Sequence, residues 1–330
     1  MRIAHVVNRS LDDPIKNAYW DGLTTMLWNL KIYSESRGHE CRLFTVMQSD
    51  MMLHDLNNGG YDFVHCHSDS LALPCATHLA GTYAISSYDG RWSSFASKRP
   101  PLDGAVDPFA YWIKDTFRAP ALLPPATFIA DEYRRLGYRG FLERLPTGVE
   151  ATVFAKAARG SKQAVCVGPV GARLRQAMLA EWTEGRVPVD FVGPWDKAHH
   201  PAFGRYAPGR YLGQWPRTTM YDTLTEYRCL VLLSVSDSAP AICRAALAAG
   251  LSLVITPACA ADLGSPEFIH VLSEEELRRD TLVAAIENAC EANDRRRSDI
   301  IAYAHDRWDF SATIPRYLEL VDQIRHEVRT

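Results

Sequence analysis

The segment Val235-Ser-Asp-Ser-Ala-Pro-Ala-Ile-Cys-Arg-Ala-Ala-Leu-Ala-Ala-Gly250 places one carboxylate, Asp237, among residues small enough for a ligand to approach the main chain. It follows the apolar run Cys229–Ser234 and precedes a second, Leu251–Thr256, so the order reads strand, loop, helix, strand. A loop at the carboxyl end of a parallel strand, feeding a helix N-terminus, is where open α/β sheets hold phosphates and sugars. Ser238, Ala239 and Pro240 would form the approach to that helix. The same pattern also reads as a plain helix start capped by Ser236 or Asp237.

Other residues invite chemistry. Arg173 and Arg175 follow the small-residue loop Gly168-Pro-Val-Gly171 and are expected to open a helix over 173–182, which would suit a diphosphate; solvated helix-face arginines are the alternative. Gly22 at an earlier helix start could reach the same diphosphate, or be an ordinary helix-entry glycine. Asp89, beside Arg91, would serve as a general base if it were partly buried; Asp-Gly is equally a common turn pair. His65 and His67 share one strand face with Cys66 opposite. No third metal ligand has helpful spacing, which favours core or cleft histidines.

The elements that would position these groups alternate along the chain. Strands are expected at Arg2–Val7, Cys41–Val46, Phe63–His67, Thr82–Ser86, Phe128–Ala130 and Glu143–Pro146, with helices over 21–38 and 71–79. A second series has strands at Ala164–Val167, Pro188–Val192, Arg210–Leu212, Leu230–Ser234, Leu251–Ile255 and Phe268–Val271. Its helices are expected over 173–182, 220–227, 241–249 and 273–293, with a terminal helical tract. Tyr88–Pro125, rich in Pro, Gly, Ser and aromatics, reads as a long irregular segment. The fold class is therefore α/β, with two Rossmann-like domains at 1–155 and 156–312 and a helix over 313–330 returning to the first. A ligand cleft between the domains is the expectation.

Composition narrows the function classes. The chain has 330 residues, 47% of them hydrophobic and 23% charged, which suits a globular protein with two cores. A net charge of −3 gives no whole-molecule field for nucleic acid and argues against a duplex partner. No apolar run approaches a membrane span, and the N-terminus reads as a strand rather than a signal. Eight cysteines without a C-x-x-C pair read as buried thiols of a reducing, cytoplasmic compartment.

Several landmarks resemble a family in its own order. Asp21-Gly22 with Arg37-Gly-His-Glu40, Tyr61-Asp-Phe-Val-His-Cys-His67, Leu145-Pro-Thr-Gly-Val-Glu150 with Phe154, Ala164–Gly168, Tyr211-Leu-Gly213 and Asp237–Gly250 are similar to the landmarks of GT-B glycosyltransferases, nearest to glycosyltransferase family 4. The resemblance implies a soluble, metal-independent enzyme without cofactor, moving a sugar from a nucleoside diphosphate sugar to a hydroxyl acceptor with retention. It implies a donor-sugar role for Asp237, a nucleobase and ribose region around Trp195, Gln214, Trp215 and Ala245, and an acceptor region around Asp21, Arg91 and Trp92. A fainter resemblance, through Asp89-Gly-Arg-Trp-Ser-Ser-Phe, is to inverting phage DNA β-glucosyltransferases.

The chain departs from the family pattern at two places. The second glutamate of the family's donor motif is Ala245 here, and the arginine after the glycine loop is Pro169. These departures also suit a degenerate nucleotide-binding protein without turnover.

Overall fold

The computed structural model describes residues 1–7, 22–45, 49–88, 109–154, 160–207 and 209–328. They form two compact units. The first contains the opening strand, Leu23–Thr147 and the tract from Phe310 onward, and the second contains Gly148–Asp309.

In the first unit six strands run parallel: β1 (Arg2–Val7), β2 (Glu40–Thr45), β3 (Phe63–Cys66), β4 (Tyr83–Ile85), β5 (Ala121–Leu122) and β6 (Phe141–Leu142). Their order in the sheet is β2-β1-β3-β4-β5-β6. Helices α1 (Gly22–Ser36), α2 (Ser49–Asn58), α3 (Ala72–His78), α4 (Phe109–Thr116) and α5 (Thr127–Arg135) connect them. After Arg2, β1 is apolar with one histidine and buried from Ile3 to Val7, as expected of a strand covered on both faces.

The second unit holds β7 (Lys162–Val167), β8 (Val189–Val192), β9 (Tyr227–Leu232), β10 (Ser252–Ile255) and β11 (Ile269–Val271), all parallel, in the order β11-β10-β9-β7-β8. Its helices are α6 (Gln176–Thr183), α7 (Phe203–Tyr206), α8 (Arg217–Leu224), α9 (Ala241–Ala248) and α10 (Arg279–Trp308). α9 is rich in alanine and buried from Ile242 to Ala248, because small side chains let it lie close to the sheet. It ends at Gly250, whose φ of +83° suits glycine. There Gly250 N–H donates to Leu247 O and Leu251 N–H to Ala246 O, both at 2.9 Å, closing a Schellman motif.

After α10 the chain returns to the first unit. α11 (Phe310–Glu327) buries Phe310, Ile314, Tyr317, Val321 and Ile324 in the core with Ile3, Leu27 and Phe63. The unit boundaries fall at 147/148 and 309/310, earlier than the expected 155/156 and 312/313. Contacts within the second unit account for the shift. Val149 bridges Asp309, and the buried Asp309 carboxylate accepts the Ala151 N–H at 3.1 Å.

Some sequence expectations need correction. Phe128–Ala130 is part of α5, not a strand: Ile129, Ala130 and Tyr133 share the buried face of a helix. Glu143–Pro146 is not a strand; the edge strand is Phe141–Leu142. Arg210–Leu212 reaches the sheet only as an isolated bridge from Tyr211 to Phe191. The helix expected over 173–182 is a 3-10 turn at Ala172–Leu174 followed by α6, and the one over 273–293 starts later and runs on to Trp308. Tyr88–Pro125 contains α4 and β5, while 89–108 lie outside the described residues.

Candidate functional site

In the second unit, successive strands step to opposite sides of β7: β8 lies on one side and β9 on the other. The carboxyl ends of strands at such a switch point form the crevice where open α/β sheets bind ligands. The loops that leave β7 and β9 meet there. Val235 N–H donates to Arg173 O at 3.0 Å, tying one loop to the other. The Arg173 guanidinium donates at 2.9 Å to both Ser236 O and Asp237 Oδ2. Asp237 Oδ1 accepts the Ser238 N–H at 2.9 Å. Burial pushes the Asp237 carboxyl above its ordinary range, and the Arg173 guanidinium opposes that shift.

Two backbone features shape this crevice. A Cβ on Gly193, whose φ is +142°, would meet Gly168 O at 2.1 Å, so glycine is needed for the β7 and β8 loops to touch. Ala239 has a φ of +72°, a left-handed conformation that costs an alanine roughly 1 kcal/mol. Arg244 supports it: its buried guanidinium reaches back from α9 to donate to Ala239 O at 3.1 Å. Sequence spacing gave no sign of this contact, which depends on how the loop folds over the first turn of α9.

The structure treats the two sequence-read arginines differently. Arg173 faces the Asp237 loop. Arg175 takes a left-handed φ of +55° and pairs with Glu274 at 2.9 Å. Pro169, at the family's arginine position, is exposed, and its carbonyl accepts Gln176 Nε2 at 2.7 Å. Ala245 is fully buried in the core of the second unit. Trp215 is also in that core, against Tyr227. Trp195 packs edge-on to Phe203 and Tyr211 and donates its indole N–H to His200 O at 3.0 Å. Gln214 is exposed beside Gly213, whose carbonyl accepts Gly193 N–H. Gly22 opens α1 and is partly exposed. Asp21, Asp89, Arg91 and Trp92 lie outside the described residues.

The first unit has its own switch point, between β1 and β3. His5 is the register partner of His65, and the buried His67 follows at the end of β3. His5 is the third ring that local spacing did not supply. His5 Nδ1 and His67 Nε2 share a hydrogen bond of 2.9 Å. Burial pushes the His5 imidazole down to about 3 and His65 well below its ordinary value, so both are neutral at neutral pH. All eight cysteines are free and buried. Among the described residues no helix is long and apolar enough to cross a membrane.

No family model and no curated protein matches the chain. Solved structures do. A sucrose-phosphate synthase from Thermosynechococcus elongatus is similar with a TM-score of 0.77 at 12% identity, covering 98% of each chain. HepE of Anabaena, in complex with UDP and glucose, gives 0.73 at 12% identity over 98% of this chain and 100% of its own. A glycosyltransferase involved in avilamycin A biosynthesis gives 0.71 at 15% identity and 98% of each chain. Two parallel α/β sheets in this chain order, matched over nearly the whole length of such structures, are the GT-B fold.

Proposed function

We propose that the chain is a glycosyltransferase that takes a nucleoside diphosphate sugar on its second unit and transfers the sugar to a hydroxyl acceptor. The observation that carries this reading is the meeting of Arg173 and Asp237 at the switch point, beside the N-terminus of α9. A departing diphosphate gains negative charge as the glycosidic bond breaks. Arg173 supplies a cation beside that crevice, and the α9 N-terminus adds its dipole. Asp237 keeps lone pairs to accept donor-sugar hydroxyls while Arg173 and Ser238 hold its orientation. In this reading the diphosphate charge is met by protein groups rather than by a metal, and the outcome is retention. The acceptor falls to the first unit, with Asp21, Asp89, Arg91 and Trp92 as its candidate contacts. Two of the similar structures are described as complexes with UDP and with UDP-glucose, which makes uridine diphosphate sugars the first donors to test.

The test is release of nucleoside diphosphate from a donor panel, with and without hydroxyl acceptors. Release that rises with acceptor and falls strongly in Asp237→Asn, at unchanged diphosphate affinity, supports the reading. A fully active Asp237→Asn variant would remove it. The buried Ala245 favours a second reading, a binding protein without turnover, because a methyl group in the core offers nothing to a ribose. Tight diphosphate binding with no transfer to any acceptor would select it.

A further inference from the structure

The first unit buries three imidazoles at its own switch point, and the proposed sugar transfer uses none of them. His5, His65 and His67 have relative exposures of 0%, 0% and 2%. One nitrogen from each ring can be chosen so that all three lie within 4.8 Å of one another. The sheet dictates this. His5 and His65 are register partners on adjacent parallel strands, so both point to the same face, and His67 follows at the two-residue period.

The hydrogen bonds around the rings fix part of their protonation. Ser86 Oγ–H donates to Leu123 O at 2.5 Å, so its oxygen accepts from His65 Nε2–H at 2.8 Å. That leaves His65 Nδ1 as a lone pair, which accepts the Tyr317 hydroxyl at 3.2 Å. His67 Nδ1 lies 3.3 Å from the Tyr88 hydroxyl. Ser86 thus orients His65 through Nε2 and Tyr88 orients His67 through Nδ1, as outer hydroxyls orient metal-bound histidines, and an ion would take the place of the Tyr317 hydroxyl at His65 Nδ1 and of the His5 hydrogen bond at His67 Nε2. His5 differs: its Nε2 is buried and has no hydrogen-bond partner among the described residues. A buried polar atom left so is costly, and each such atom calls for a reason.

We propose that His5, His65 and His67 form a three-histidine site for a divalent first-row transition ion of the zinc class. Three neutral imidazoles are a donor set for zinc, copper, nickel or iron, and they offer nothing to calcium or magnesium, which take oxygen. Cys66 adds no ligand: it points to the other face of β3, where its Sγ is 3.1 Å from Cys75 Sγ. Three histidines leave a fourth position for water or hydroxide. Zinc–nitrogen bonds of about 2.0–2.1 Å would bring tetrahedral ligand atoms to about 3.3 Å apart, so binding draws the rings together. The ion would then tie β1 to β3 beneath α11, which holds Tyr317. It has no part in the diphosphate chemistry assigned to the second unit.

The full chain, stripped with a chelator and dialysed, is titrated with Co2+, Zn2+ and Mg2+. One equivalent of Co2+ giving the visible absorption of a four-coordinate site of three nitrogens and one oxygen is expected. Zn2+ should raise the melting temperature and Mg2+ should not. His5→Gln and His67→Gln should each weaken Zn2+ binding by more than about 100-fold, beyond the range of an outer partner. A double His199→Ala, His200→Ala variant, altered in an exposed loop, should bind as before. If the buried variants do not fold, the wild-type Co2+ and Zn2+ titrations decide alone. Absence of a stoichiometric Co2+ spectrum, or full Zn2+ affinity in a folded His5→Gln chain, overturns the site.

Discussion

Arg173 and Arg175 are two residues apart and look equivalent in the sequence, yet the structure gives them different work, and that difference can be measured. Arg173 makes two bonds of 2.9 Å, to Ser236 O and Asp237 Oδ2, and its side chain is 45% exposed. A hydrogen bond to a charged group is worth roughly 1.5–3 kcal/mol, and half-exposure places Arg173 toward the lower end. If Arg173 meets the diphosphate, Arg173→Ala should weaken UDP binding by on the order of tenfold and leave uridine nearly unaffected. Arg175 is committed to Glu274 at 2.9 Å. Arg175→Ala should therefore change UDP affinity less than about threefold, which is below 1 kcal/mol. Isothermal titration of both variants with UDP and uridine makes the comparison. Equal losses in the two variants, or an unchanged UDP affinity in Arg173→Ala, would refute the placement of the diphosphate at the β7–β9 crevice.

Three further outcomes follow from the same region and its sequence neighbours. Burial raises the Asp237 carboxyl above its ordinary 3.8, so its contribution to stability is full below that value and is lost as pH rises through the raised one. Asp237→Asn should remove this fall from a pH series of melting temperatures, and an unaltered profile would show that the carboxyl titrates normally. Ala239→Gly should stabilise the chain by up to about 1 kcal/mol, since relief of the left-handed cost exceeds the extra entropy of glycine; a lower melting temperature would contradict the φ of +72°. Under retention Asp89→Asn should turn over at a near-wild-type rate, as a turn residue would, whereas a loss on the order of a hundredfold would make Asp89 the acceptor's base and the transfer inverting.

Local order was readable wherever burial on both faces leaves a run of apolar residues. β1 occupies the expected Arg2–Val7, and α9 ends within a residue of its expected limit. Sequence reading failed where polar residues hide a buried face. Asp294-Arg-Arg-Arg-Ser-Asp299 looks like a helix end, yet α10 passes through it and buries Ile300, Ala304 and Trp308 beyond. It is held there because the Arg297 guanidinium donates to the carbonyls of Thr225, Tyr227 and Ala249. Strand pairing was not readable at all. That β9 lies beside β7, and β3 beside β1, is a non-local outcome of packing. It brings Asp237 to Arg173 across 64 residues and His5 to His67 across 62. Individual site residues were thus visible in the sequence as types, but the pairings of Arg173 with Ser236, Arg244 with Ala239, Arg175 with Glu274 and His67 with His5 were not.

The return of α11 to the first unit bears on the order in which the chain acquires structure during synthesis. Domains generally fold as they leave the ribosome, the N-terminal one first. Here the core around Ile3, Leu27 and Phe63 also needs Phe310, Ile314, Tyr317, Val321 and Ile324, which are translated after the whole of Gly148–Asp309. The second unit has every strand of its sheet within that span. It can therefore close while the first unit, with all six strands made, still lacks α11 and leaves an apolar face uncovered. A nascent chain halted before codon 310 should present that face to chaperones, although it already carries a complete second unit.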